Sequence, residues 1–132
     1  MSMTHEEREA IVDYRLEKSE KTLSYVIKSF EFEMYNTCAN RLYYAFYYAA
    51  SALLIRNGIS AHTHSGVLAM INLHFVRNGI FDKSEALLMR RLFSLRQESD
   101  YDDFINITAE DISPLIDPTK RLLRKIHELC LS

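Results

Sequence analysis

The chain is sparing with the residues that break or staple a fold. Its 132 residues include two cysteines, two prolines, three glycines and no tryptophan. Cys38 and Cys130 stand alone, with no CxxC, so neither a disulfide framework nor a zinc site of the usual spacing is expected. Scarce glycine and proline, without strand-like alternation, argue against a turn-rich β design and leave long helices. Charge of one sign is also lacking. The formal net charge is −2, so any grip on nucleic acid must be local rather than global. There is no long hydrophobic run: the apolar-rich stretch between Arg41 and Arg56 falls short of the ~20 residues of a bilayer span. The start, MSMTHEEREA, has neither the basic beginning nor the apolar stretch of a signal peptide. These absences lead to the expectation of a cytoplasmic protein with no membrane association. A Gly-rich phosphate loop, a nucleophile elbow and HExxH are missing too, which sets aside hydrolases and NTPases built on those devices. Nothing asks for a cofactor.

What is present is a string of helices. Hydrophobic residues make up 48% and charged residues 26% of the chain, enough for one globular domain over 1–132. Thr4 with Glu7, Asp82 with Glu85 and Thr108 with Asp111 read as capping boxes. Arg-Asn-Gly-Ile occurs at 56–59 and again at 77–80. Each copy is a helix stop, in which Gly takes the left-handed residue, Ile covers the end and Arg complements the helix dipole. Five helices follow, at about 5–32, 36–57, 65–78, 83–102 and from 109–118 to about 130. The first carries an apolar stripe of Val12, Leu16, Leu23, Val26, Ile27 and Phe30. Pro114 and Pro118 predict a kinked or two-part start to the last. The fold class is all-α, an up-and-down bundle of four or five helices.

Helix two is apolar and aromatic all the way round, which predicts burial rather than a solvent face. Its alanines permit close approach, while Tyr43, Tyr44, Phe46, Tyr47 and Tyr48 fill volume. The tyrosine hydroxyls need partners. Arg41 enters this zone alone and, if buried, must be paired. Asp100 is one candidate for that pairing.

Two further stretches carry chemistry. In Leu92–Phe104, Arg96 and Asp100 lie four apart and share a helix face that Asp103 extends. Glu98, Asp102 and Asp103 crowd a helix C-terminus, against the dipole. This is either a solvated, salt-bridged helix end or a functional site that breaks a local rule. In His62-Thr63-His64-Ser65-Gly66 two histidines could hold a metal, but no third ligand stands out. A helix cap at Thr63 or Ser65 is the simpler reading. His5, His74 and His127 are isolated.

Taken in order, Asn40-Arg41-x-Tyr43-Tyr44-Ala45-x-Tyr47-x-Ala49-Ala50, then Ala52-Leu53-Leu54 and Gly58, then Thr63-His64-Ser65-Gly66-Val67, then Arg96-Gln97-Glu98-x-Asp100-Tyr101 resembles the HEPN superfamily, over nearly the whole chain. The name denotes the higher-eukaryote and prokaryote nucleotide-binding domain. The resemblance implies a helical bundle, usually a homodimer, often encoded beside a minimal nucleotidyltransferase in a toxin–antitoxin-like pair. Many such proteins are metal-independent ribonucleases. An arginine holds the scissile phosphate and a histidine, four to six residues on, moves the proton as the 2′-hydroxyl attacks. Arg96 matches that arginine, but Tyr101 stands where the histidine should be. Tyrosine, with an ordinary pKa of about 10, is a poor base near neutrality. The expectation is a nucleotide- or RNA-binding or partner subunit without the usual ribonuclease pair. An endoribonuclease using Arg96 with Asp100 or Tyr101 is the alternative. Arg41, Tyr44, Tyr48 and His64 are the expected binding residues, and no metal is assigned.

Overall fold

The computed structural model describes residues 3–100 and 106–131. Five α-helices occur among them: α1 His5–Glu31, α2 Tyr35–Arg56, α3 His64–Ile71, α4 Lys83–Ser99 and α5 Ala109–Leu131. No strand occurs among the described residues. A π-helical segment, Asn72–Val76, continues α3 without a break. There the Arg77 amide donates to the Asn72 carbonyl, five residues back.

The capping chemistry sets most boundaries. Thr4 with Glu7 and Asp82 with Glu85 form complete capping boxes. The Thr108 box is half made. Asp111 accepts from both the Thr108 amide and hydroxyl, so that hydroxyl points at the acid rather than capping a backbone amide. Both Arg-Asn-Gly-Ile stops put Gly in the left-handed region, with φ of 70° at Gly58 and 83° at Gly79. At the first, the Ile59 amide returns to the Leu54 carbonyl and the Gly58 amide to Ile55, a Schellman closure. At the second, the wide π turn shifts the closure by one residue. The Phe81 amide returns to Phe75, and buried Phe81 rather than exposed Ile80 seals the end.

The burial of α2 organises the bundle. None of its 22 residues is exposed, and it packs against α1, α3, α4 and α5. Leu42, Ala45, Ala49, Ala50, Leu53 and Leu54 lie in the core with Val12, Leu16, Val26, Met89, Leu92, Leu95, Ile112, Leu122 and Ile126. The α1 stripe differs from the sequence expectation. Ile27 is exposed, while Ser19 and Thr22 are buried. Their small side chains let α1 approach the alanine face of α2. The Ser19 hydroxyl donates to the Ala45 carbonyl at 2.6 Å and that of Thr22 to Lys18 at 2.7 Å, so neither polar group is stranded. Helix α5 runs unbroken from Ala109 through Pro114 and Pro118, so of the expected kinked or two-part start the two-part form is not found. Ile112, Thr119 and Leu122 are buried along its inner face, and that packing offsets the backbone hydrogen bonds the prolines cannot make.

Candidate functional site

Three helices bring cations, rings and a histidine to one edge of α2. Arg41, Tyr44 and Tyr48 recur at helical spacing along that edge, and Tyr43 and Tyr47 flank them. Arg96 arrives from the last turn of α4. His64 is the first residue of α3, placed by Thr63, whose hydroxyl accepts from the Gly66 amide at 2.9 Å. A Cβ on Gly66 would stand 2.8 Å from that hydroxyl oxygen, so this cap requires glycine.

Arg96 lies against two tyrosines. Its guanidinium carbon is 5.7 Å from the ring centroids of both Tyr43 and Tyr44, and Nη2 donates to the Tyr44 hydroxyl at 3.4 Å. Arg41 sits 5.3 Å from the same Tyr44 ring. Each such contact is worth about 0.5–1 kcal/mol at a surface. Two like charges sharing one ring also repel, and an anion between them would relieve that repulsion. The carboxylate near Arg96 is a weak competitor. Asp100 Oδ2 is 3.7 Å from Arg96 Nε, with the Asp100 side chain 51% exposed, a geometry that contributes little. Arg96 Nε itself is buried with no hydrogen-bond partner among the described residues.

His64 is held rather than free. Its Nδ1 is 2.8 Å from the Tyr43 hydroxyl, and its ring centroid lies 4.5 Å from that of Tyr47 and 5.6 Å from those of Tyr43 and Tyr44. Burial, then the Arg96 charge, lowers the His64 pKa below its ordinary value. Burial also raises the Tyr43 hydroxyl well above the ordinary phenol range, so the phenol keeps its proton. The protonated phenol can donate to Nδ1, with the imidazole proton on Nε2, or accept from Nδ1–H, with Nε2 bare. In either tautomer the lowered pKa favours neutral His64.

The structure thus brings Arg41, Tyr44, His64 and Arg96 together. Tyr48 adjoins them, 5.9 Å from the Tyr44 ring, with Lys18 Nζ 4.7 Å from its centroid. The expected Arg41–Asp100 pair is not formed. Arg41 Nε and Nη2 donate instead to Asn40 Oδ1, at 3.1 and 2.7 Å, while Asp100, one turn beyond Arg96, stays with its own helix. Glu98 turns away to Arg91 at 3.4 Å. Tyr101, Asp102 and Asp103 lie outside the described residues. Sequence reasoning treated Tyr43 and Tyr47 as volume, although their spacing from Asn40 and Tyr44 already placed them beside the cluster. Nothing in the sequence singled out Lys18. The thiols of Cys38 and Cys130 are buried and pushed up to about 11 by that burial, which makes them inert as nucleophiles. Among the described residues no three His, Cys, Asp or Glu side chains converge to hold a metal, and no helix is long and apolar enough to cross a membrane.

With this geometry in view, comparison with known proteins is direct. The HEPN domain family model matches residues 12–129. A UPF0332 protein of Thermotoga maritima is 32% identical over 123 residues, 93% of each chain. Two proteins of Methanocaldococcus jannaschii, both named as candidate toxins, are each 30% identical over 117 residues. They cover 89% and 84% of this chain and 80% and 87% of their own. The fold and these matches together show that the chain belongs to the HEPN domain family.

Proposed function

We propose that the chain, acting over 1–132 as one HEPN-like domain, is a homodimeric nucleotide- or RNA-binding subunit. Its partner would be a minimal nucleotidyltransferase in a toxin–antitoxin-like pair. The observation that carries the binding reading is the placing of Arg41 and Arg96 on one tyrosine ring, with exposed Asp100 the acid beside Arg96 among the described residues. A phosphate bound at this edge would take charge-assisted hydrogen bonds from these guanidiniums. Tyr44 and Tyr48 offer faces for bases, the combination by which single strands are held without strong sequence preference. In the tautomer whose Nδ1 accepts from Tyr43, His64 adds a donor from Nε2. The toxin names of the two M. jannaschii relatives support the paired-module part. Co-purification with the product of an adjacent nucleotidyltransferase gene, together with the solution mass, tests it. A monomer that captures no such partner and binds no RNA would overturn it.

A second reading, endoribonuclease activity, is favoured by the half-exposed Asp100 carboxylate beside Arg96. In that reading the 2′-hydroxyl attacks the adjacent phosphorus and its proton passes to the Asp100 carboxylate, or to Tyr101 as its phenolate. The bond to the 5′ oxygen breaks and that oxygen takes a proton from water, leaving a cyclic phosphate and a 5′-hydroxyl. Arg96 would balance the charge on the phosphate. RNA cleavage lost in Arg96→Ala supports this reading, and equal cleavage by both proteins excludes it.

A further inference from the structure

A second cationic site lies on the other end of α2. A cavity of about 400 Å³ opens between the first half of α1, the last turns of α2 and the segment 58–62. That volume is in the range of small-ligand pockets. Its lining includes Arg8, Arg15 and His62 and, among the described residues, contains no carboxylate. Leu54, Ile59 and Val67 supply an apolar wall, and Ser51 and Ser60 supply hydroxyls.

The two arginines are not equivalent. They stand seven residues apart on α1, two turns or about 10 Å along one face. Arg8 is occupied, because its Nη1 donates to the Ile55 carbonyl at the end of α2. Arg15 is half-buried and has neither a hydrogen bond nor an ion pair among the described residues. Its charge therefore lines a cavity with no acid among the described lining residues to balance it. An anionic ligand would supply that counter-charge.

The cavity also connects to the first site. Tyr47 lines it and stacks on His64. Tyr44, Tyr47, Ser51 and Ile55 follow one another at helical spacing, a stripe of about 16 Å from the Arg96 cluster to the Arg8 end. We infer that this cavity binds a nucleoside 5′-phosphate, with Arg15 as the phosphate ligand and Leu54, Ile59 and Val67 against the base. The nucleotide is either free or the next residue of a strand seated on the Arg96 cluster. The strand form of this site rests on the RNA-binding reading of that cluster, the free-nucleotide form does not, and the variants below separate the two.

The test is binding of AMP, of a four-residue oligouridylate and of an eight-residue one to the full chain, by calorimetry and fluorescence anisotropy. Arg15→Glu reverses the charge. Ser60→Trp fills the mouth from an exposed position and leaves both arginines in place, so it serves even if Arg15→Glu folds poorly. Each variant is expected to weaken binding at least tenfold. Loss of AMP binding identifies a free-nucleotide site, and loss of only the gain from four to eight residues identifies a strand subsite. Arg96→Ala is the reference. If it alone loses binding, the cavity has no such role. If it binds like the wild type while Arg15→Glu does not, the cluster reading fails and the cavity stands. Wild-type affinity of both cavity variants for all three probes, or no binding of any probe by the wild-type chain, overturns the assignment.

Discussion

The Tyr43 hydroxyl and His64 Nδ1 lie 2.8 Å apart, and this contact ties the start of α3 to the middle of the core helix. Tyr43 is 1% exposed, and its bond to half-buried His64 is largely shielded from water. Tyr43→Phe should therefore cost on the order of 1 kcal/mol, the net worth of a hydrogen bond plus the stranding of Nδ1. Urea unfolding of the two proteins measures the difference.

The same pair sets a pH dependence. The folded protein holds the His64 pKa below its unfolded value of about 6.5, so the unfolded chain binds the proton more readily. The contribution of neutral His64 is complete above the unfolded value. It diminishes as pH falls below that value toward the lowered folded one. The melting temperature should drop as pH falls below about 6.5, and the drop should be smaller in His64→Gln. Identical pH profiles for the two proteins would mean that His64 does not titrate this way.

Arg41→Ala and Arg96→Ala should affect binding more than folding. Among the described residues neither guanidinium is locked in a buried ion pair, since Arg41 bonds Asn40 and Arg96 has exposed Asp100. A loss above ~3 kcal/mol, the mark of a broken buried pair, is not expected for either. Each change should weaken RNA binding and lower the salt dependence by about 0.7 per phosphate contact removed. Titrations at several salt concentrations read both effects.

Ser19 tests the closeness of α1 and α2. It is 3% exposed and donates to the Ala45 carbonyl. Ser19→Ala should lose roughly 0.5–1.5 kcal/mol with the hydrogen bond. Ser19→Leu should cost about 1–3 kcal/mol by overpacking, although leucine is the better match to an apolar stripe. If Ser19→Leu stabilised the protein, the helices would have to be further apart than described.

Gly66→Ala should displace the cap of α3, since the new methyl would meet the Thr63 hydroxyl at 2.8 Å. Losing an N-cap costs about 0.5–2 kcal/mol. Here it would also shift His64, two residues earlier, so nucleotide binding should fall together with melting temperature. Thr63→Ala, which removes the cap without adding bulk, separates the two effects.

Helix ends and the burial of α2 were readable from sequence because they are set locally, by Thr4, Asp82, Gly58 and Gly79, and by the lack of any polar face between Leu42 and Leu54. The buried hydroxyls of Ser19 and Thr22 were not. They look polar in sequence and become core only because Ala45 opposes them. The π turn was equally hidden, since Asn72–Val76 reads as ordinary helix. Arg96, Arg41, Tyr44 and His64 could each be picked out, but not their mutual contacts. The α1 cavity was missed altogether, because Arg8 and Arg15 look like surface cations until α2 is laid beside them.

The π turn has a consequence for chain length. Its five residues, Asn72–Val76, carry one residue more per turn than a regular helix needs. A single deletion there could be absorbed by tightening the turn, whereas a deletion inside α2 would rotate every later side chain by about 100°. Length differences among members of this family should therefore collect between α3 and α4 and spare the helix that carries Arg41 and the tyrosines.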